Sequence, residues 1–442
     1  MIGRRRLLEG ASSVAASLLA RSAVARGRLP FGGRLALHVP WPLSSIDPHR
    51  IDDVGAALFG DALFGTLYAP DASGALVPAL ADGDPTPDGS VLRVALRPEL
   101  RFASGASLDA RAAAFSLGRA RARGGKAWLA DVPDPRVDGD SLVFAARDAS
   151  KLVRALASPL AAVVPLRFSP DRPDGSGPLR AEPAAGGGLV LTRNTLSPSG
   201  PAFLDAIEAR HALDLATSLR AFESGADDLG WLGSFLHEPR EGAKSYDAGV
   251  VGWAVLCTGR EAGSLDAPGE AQALADGVPH AALASLVVGP PWAPAPATWT
   301  AAPCDLLVRD DAPWLMEMAR AVAIALSTGS HEVTPRLVSP GDLAQRKATR
   351  GFALMLDTAR PVGPGPLGML VGLATADDPA QAAALARHPP RGDLLPRRVT
   401  RTMRIGVVGE IRLQGGRAAD VVLPPSPWGR GIDWGGALRT RA

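Results

Sequence analysis

The chain has 442 residues, room for two or three compact units at roughly 150 residues each, and its 46% hydrophobic and 21% charged content is that of a globular protein with a core. Basic and acidic side chains number 47 and 45, a net charge of +2, so no electrostatic excess points to nucleic acid. Lys126, Lys151, Lys244 and Lys347 are the only lysines; with 49 Gly and 40 Pro, the Arg-rich composition reflects a GC-rich coding bias rather than a function.

The amino terminus reads MIGRRRLLEGASSVAASLLARSAVARG. A basic cluster precedes an apolar stretch from Ala11 to Ala20, and Ala23 and Ala25 supply small residues for cleavage, the layout of an export signal over 1–25. Arg4 and Arg5, followed by Leu7 and Leu8, resemble a twin-arginine signal, whose cargo crosses the membrane folded. A spanning helix needs about 20 apolar residues, more than this segment offers. The expectation is a periplasmic protein whose mature part begins near Arg26.

A strand is expected over Arg34–Val39, stopped by Pro40 and Pro42. Val54, Leu58, Phe59, Ala62 and Leu63 then recur at helical spacing. Val91, Val94 and Leu96 suggest a strand, and Ser107 or Asp109 begins a helix running to about Gly124. A short strand, LVFAA, and a helix with Leu152, Leu156 and Leu160 follow. After GSGPLR (175–180) comes the strand Leu189–Thr192, then a helix from Asp214 that ends at Gly225, a residue suited to the left-handed cap. VVGWAVL leads as a strand into Cys257. Beyond a Pro-rich stretch lies a β-α-β pattern: Leu306–Val308, a helix from about Pro313 to Ser327, and Val333–Val338. A helix over about 341–350 delivers the chain to the strand FALML, and MRIGVVGEIRL is a late apolar segment. This alternation predicts a mixed α/β protein.

Motifs for catalysis are absent. None of the seven histidines has metal-motif spacing, and G-x-S-x-G and the P-loop pattern do not occur. The two cysteines, Cys257 and Cys304, cannot hold zinc alone; they could pair in an oxidising compartment, although two separate thiols are the preferred reading. Gly363, Gly365 and Gly368 match G-x-G-x-x-G, but Pro361, Pro364 and Pro366 remove the amide donors a dinucleotide loop needs. That stretch is expected to be a stiff Pro-Gly turn. No catalytic residue, metal site or cofactor is predicted.

The collected stretches resemble the extracellular solute-binding proteins of family 5, which serve importers of peptides and nickel. Asp47-Pro48-His49, Gly74-x-Leu76-x-Pro78-x-Leu80-Ala81, Asp88-Gly89 and Leu96-Arg97-x4-Phe102-x2-Gly105-x2-Leu108 follow that family's order and spacing. Gly175-Ser176-Gly177-Pro178, Leu191-Thr192-Arg193-Asn194 and Ser224-Gly225-Ala226-Asp227 extend the match. Leu179 stands where the family usually has an aromatic residue. Where peptide-binding members follow the FALML-like strand with Gly-Trp and a ligand-anchoring aspartate, this chain has neither.

The resemblance implies a two-lobed, periplasmic-binding-protein-like α/β fold (type II) with mixed sheets and a hinge. Lobe I would span 26–255, with an extra subdomain at about 65–175; lobe II would span 256–402, and 403–442 would return to lobe I. It implies a monomeric receptor that closes over an oligopeptide or similar small solute and hands it to an ABC transporter permease. Trp41, Trp253, Asp357 and Arg360 are the candidate ligand-binding residues, being on or just beyond strands that should border the cleft. A homologue acting as a sensor or scaffold, and a secreted enzyme with an unrecognised site, are the alternatives.

Overall fold

A computed structural model of the chain describes residues 31–212, 214–231, 240–294, 303–329, 331–390 and 396–440. The signal residues Arg4, Arg5, Ala23 and Ala25 lie outside the described residues. Among those that are described, no helix is long and apolar enough to cross a membrane.

One ten-stranded sheet carries the architecture. Its strands are β1 (Arg34–Val39), β2 (Leu179–Ala184), β3 (Gly188–Arg193), β4 (Ala206–His211), β5 (Leu229–Trp231), β6 (Lys244–Thr258), β7 (Cys304–Arg309), β8 (Val333–Val338), β9 (Leu354–Ala359) and β10 (Ile405–Arg417). They lie in the order β8-β7-β9-β6-β10-β5-β1-β4-β3-β2. The first half of the sheet has β1 parallel to β4 and β5, with β2 and β3 added as an antiparallel edge. The second half has β7 parallel to β8 and β9.

Two long antiparallel strands, β6 and β10, run between the halves. Near its start β6 pairs Lys244–Asp247 with Arg417–Gln414, and further on it pairs Trp253–Thr258 with β9. The β6–β10 register shifts at Asp247/Val250, Val250/Gly252 and Ala254/Val255. Such bulges bend a strand and raise its twist, and here they fall where the sheet passes from one half to the other. A separate four-stranded sheet is made from Thr86–Asp88, Val91–Ala95, Ser141–Phe144 and Arg136–Asp138.

The helices are α1 (Val54–Leu63), α2 (Ala110–Ala120), α3 (Ala149–Leu156), α4 (Leu215–Glu223), α5 (Glu270–Asp276), α6 (Pro313–Leu326), α7 (Pro340–Thr349), α8 (Gly365–Thr375), α9 (Pro379–Arg387) and α10 (Pro396–Thr402). Aspartates start several of them: Asp53, Asp109, Asp148 and Asp214 each accept a backbone N–H from the first turn. This is the side-chain capping that satisfies otherwise unpaired amides. The α2 helix gives way at Arg121–Gly125 to a wider turn in which Gly124 takes φ +121°.

Alternation on the central strands explains why two core clusters form. On β6, Ala254 and Leu256 enter one cluster, while Trp253, Val255 and Cys257 enter the other. A strand apolar on both faces belongs in the middle of a covered sheet, and that is its position.

The expected β-α-β unit is present as β7-α6-β8, with the parallel pairing such a crossover requires. The GPGPLG stretch differs from expectation, because it is a turn that opens directly into α8. Pro364 is the N-cap, and a proline stands in the first helical turn, where its missing N–H costs nothing. The turn folds back on itself: Val362 N–H donates to Gly368 O (3.0 Å), and a Cβ on Gly368 would lie 2.0 Å from Gly363 O. The two cysteines are free thiols, Cys257 buried and Cys304 half-buried.

Candidate functional site

The turn after β1 is built around Asp47. Its carboxylate accepts the His49 N–H (3.0 Å) and both terminal nitrogens of Arg119 on α2 (2.6 and 2.8 Å). Burial works to raise the Asp47 carboxyl, but the paired guanidinium outweighs it and holds the group below its usual range. His49 is fully buried, with Nε2 2.8 Å from Ala162 O and Nδ1 2.8 Å from Arg119 Nη1. A carbonyl needs a donor and a guanidinium needs an acceptor, so the ring is the neutral Nε2–H tautomer. Burial depresses its pKa to about 4. Asp53 caps α1 through Ala56 N–H (2.7 Å) and accepts the Asp47 N–H (2.8 Å), and burial pushes its carboxyl up to about 6.

This turn reaches across to the second half of the sheet. Arg309, at the end of β7, pairs with Asp52 and with Asp311 (3.2 Å), and lies 4.0 Å from Asp357 on β9. Arg50 grips both oxygens of Asp52 (3.0 and 2.8 Å) and reaches Asp311 (3.1 Å). Thr358 Oγ1 donates to Asp52 O (2.7 Å). Arg360, just past β9, donates through Nε to Arg50 O (2.9 Å) and through Nη2 to Pro48 O. Arg309 and Arg360 are 6% and 4% exposed, and burial lowers the pKa of each. Buried guanidiniums are tolerable only when hydrogen-bonded or paired, so these contacts hold the two halves of the molecule in register.

Beside this junction is a cavity of about 350 Å³. Its walls come from α1, the segments 78–80 and 176–178, Arg360, and the loop 426–434 that follows β10. Trp434 Nε1 donates to Leu58 O (2.8 Å), and its ring lies 5.2 Å from that of Phe59, which pins the loop to α1. Gly431 N–H donates to Ala248 O (2.6 Å). Arg430 then projects back, donating from Nη1 to Gly363 O (3.3 Å) and Trp428 O (3.4 Å), and burial lowers its pKa to about 10.

Asp61, on the last turn of α1, lines the cavity and is exposed. It is open to the cavity, yet enough protein surrounds it that desolvation raises its carboxyl, a rise opposed by Arg430 and Arg360. No described residue pairs with it within 4 Å. One unpaired carboxylate therefore lines the cavity together with the buried Arg360, with Phe64, Trp428 and Trp434 among its walls, and a second, much smaller cavity of about 10 Å³ is lined by Asp61, Arg360 and the half-buried Arg430.

Of the residues proposed from sequence, Arg360 lines this cavity. Asp357 is buried at the ion cluster, with Lys347 Nζ at 3.6 Å and Arg309 at 4.0 Å. Trp41 and Trp253 are fully buried, in different core clusters. Asp61, Arg430 and the 426–434 loop were not singled out from sequence. The signal available was PPSPWGRGIDWGG itself, where glycines at positive φ (Gly429 +74°, Gly431 +76°) set an Arg between two Trp residues.

No family model matches the chain, nor does any curated protein sequence. Solved structures do match. A periplasmic binding protein, DppA of Helicobacter pylori in complex with a peptide, aligns over 93% of this chain and 99% of its own with a TM-score of 0.66 at 14% identity. The chain has the fold of a periplasmic binding protein. AgaA of A. tumefaciens, in complex with agropinic acid, aligns over 93% of this chain and 99% of its own (TM-score 0.63, 13% identity). NikA of Brucella suis, in complex with Fe(III)-EDTA, aligns over 92% and 100% (TM-score 0.61, 15% identity). The fold is thus two-lobed and mixed α/β, and β6 and β10 run between the two halves of its large sheet.

Proposed function

We propose that this chain is the extracytoplasmic solute-binding component of an ABC importer, acting as a monomer and binding its ligand without chemistry. The observation that carries this reading is the cavity of about 350 Å³ beside the junction of the two halves, lined by the unpaired Asp61 and the buried Arg360. In this reading the lobes are 26–255 and 256–402, with 403–442 returning to the first lobe and the subdomain at about 65–175. The register shifts between Asp247 and Val255 supply the hinge. Ligand binding favours the closed state by the difference between its affinities for closed and open forms. Export by the twin-arginine route, to the periplasm, goes with this reading, as does delivery to a membrane permease. Similar proteins bind peptides, metal chelates or agropinic acid, so a peptide or another small polar solute is the ligand class.

The test is a thermal-shift screen of the mature protein against amino acids, peptides and opine-like solutes, with native mass spectrometry of protein taken from its own periplasm. A bound small molecule or a ligand-induced rise in Tm supports the receptor. The absence of both would remove it.

A second reading is favoured by one observation. The Arg309–Asp52 cluster joins the two halves of the sheet with the chain's own side chains. A homologue that stays shut without ligand would serve as a sensor or scaffold, and its X-ray scattering profile would be the same with and without every solute tested.

A further inference from the structure

A separate cavity of about 290 Å³ shares no lining residue with the one of about 350 Å³. It lies between the segments 127–132 and 146–155 on one side and 383–389, the end of α9, on the other. The Trp128 ring, Leu152 and Ala155 of α3, and Ala383 and Ala386 of α9 make its apolar wall. The alanines end in methyl groups and leave the space open. Trp128 is fixed in place: it is 8% exposed, and a Cβ on Gly363 would lie 2.4 Å from its Cζ2, so the ring presses on the turn before α8. Its indole N–H is buried and has no hydrogen-bond partner among the described residues.

The rim of this cavity is cationic. Arg147, just before α3, and Lys151 and Arg154 on it are spaced four and three residues apart, which puts them on one side of the helix. The side chains of Arg147 and Arg154 have no hydrogen bond or ion pair with any described residue. Lys151 has a loose contact with Asp148 (3.7 Å), whose carboxylate also caps α3 by accepting the Lys151 N–H (3.0 Å). From α9, Arg387 is answered by Asp131 (2.7 Å), a pair that joins the two sides. Four cations thus meet two carboxylates, and the two unanswered guanidiniums border the same apolar wall.

A simple anion would answer the guanidiniums and leave the apolar wall in water. A neutral apolar molecule would cover the wall and leave the guanidiniums unanswered. A carboxylate carried on a ring meets both demands, through charge-assisted hydrogen bonds and aromatic packing. The volume is at the small end of the roughly 300–1,000 Å³ found for small-molecule sites, room for one ring system and its acid group.

We infer that this cavity is a second ligand site, which takes one small aryl carboxylate of phenylacetate or indole-3-acetate size. Its ring lies against Trp128 and its carboxylate on Arg147 and Arg154. The site asks for no amino group on its ligand. It also stands or falls apart from the receptor reading, because that reading rests on the other cavity.

The experiment is isothermal titration of the mature protein with phenylacetate, indole-3-acetate, phenylacetamide and acetate. Wild type is compared with the double variant Arg147→Gln/Arg154→Gln and with Ala386→Leu. Both arginines are exposed, so their replacement leaves the fold intact, and the leucine at Ala386 extends into open cavity. At least one of the two aryl carboxylates should bind wild type. Phenylacetamide, which has the ring without the charge, and acetate, which has the charge without the ring, should each bind about fivefold or more weakly. The double variant should lose about fivefold or more in aryl carboxylate affinity, the loss expected for two charged contacts at an open rim. Ala386→Leu should cost as much by filling the space from the α9 side. Equal binding of the amide or of acetate, or unchanged affinity in either variant, would overturn the inference. So would binding of neither aryl carboxylate up to its solubility. Urea midpoints equal to wild type show that each variant is folded, and each variant tests the site without the other.

Discussion

Arg309 at the end of β7 is ion-paired with Asp52 in the turn before α1, although 257 positions separate the two in the chain. The pair lies where the two halves of the sheet face each other, and Thr358 and Arg360 add bonds to the carbonyls of the same turn. Arg309→Ala removes the charged contacts to Asp52 and Asp311, both of which keep Arg50 as a partner, so it should lower unfolding stability by about 2 kcal/mol and shift the ligand-free protein toward a more open form, seen as a larger radius of gyration. Arg309→Lys should recover only part of the loss, because an ammonium cannot reproduce the fork that meets Asp52 and Asp311 together. Scattering curves that superpose for wild type and Arg309→Ala would show that the pair does not hold the lobes.

Two buried groups next to each other in the turn should give opposite pH dependences. His49 has a folded pKa near 4, below the usual value of 6.5, so on acidification the unfolded chain takes up its proton first. Its contribution to stability is present above about pH 6.5 and is lost by about pH 4, a change on the order of 3 kcal/mol. Asp53 is raised from 3.8 to about 6, so the folded state binds its proton first and gains stability as pH falls from about 6 to 4. In His49→Gln the first effect disappears and the second remains. Urea unfolding between pH 4 and 7 should then show the variant gaining on wild type as pH falls. Parallel curves would mean that His49 is not held neutral by burial.

Cys257 and Cys304 should behave as separate thiols of unequal reactivity. Burial pushes the Cys257 thiol up to about 12, and it is 1% exposed, so its nucleophilic thiolate is scarce at neutral pH. Cys304 is half-buried at the start of β7, and its thiol is also raised. A thiol-alkylating reagent applied to the folded protein should label Cys304 slowly and leave Cys257 unmodified until denaturant is added, as read by peptide mass. Equal labelling of the two in the native state would contradict this burial.

The periodic parts of the fold were legible in the sequence, and the site was legible only in part. Strand β1 ends where the prolines were expected to stop it, β8 follows the helix of the β-α-β pattern, and Asp109 and Asp214 begin α2 and α4 because local side-chain caps are written in a few adjacent residues. The start of α8 was hidden because it uses Pro364 and Gly365 in place of a capping side chain. Asp61 looked like one more polar residue on an amphipathic helix. It shares a small cavity with Arg430, which the fold brings in from 369 positions away, and no local pattern encodes that meeting. Trp253 was put forward for being a large aromatic on a strand, but on a strand covered on both faces the same residue serves as core.

Two of the recognised stretches prove to be one structural joint. Asn194 Nδ2 donates to Gly177 O (2.8 Å), and Asn194 N–H donates to Pro178 O (2.9 Å). Gly177 N–H in turn donates to Leu63 O (2.9 Å), so the 175–178 turn is pressed against the end of α1, two residues from Asp61. A Cβ on Gly177 would lie 2.3 Å from Ala62 O, and one on Gly175 would lie 2.1 Å from Leu63 O. Both partners are backbone atoms, which cannot swing aside. Gly177→Ala should therefore destabilise the protein by about 2–3 kcal/mol, at the upper end of overpacking costs, and should weaken ligand binding because the end of α1 must move. Gly83→Ala is the control, since its Cβ would meet nothing within 4 Å. Urea midpoints that shift equally for the two substitutions would show that the close approach at Gly177 is not what holds the end of α1 in place.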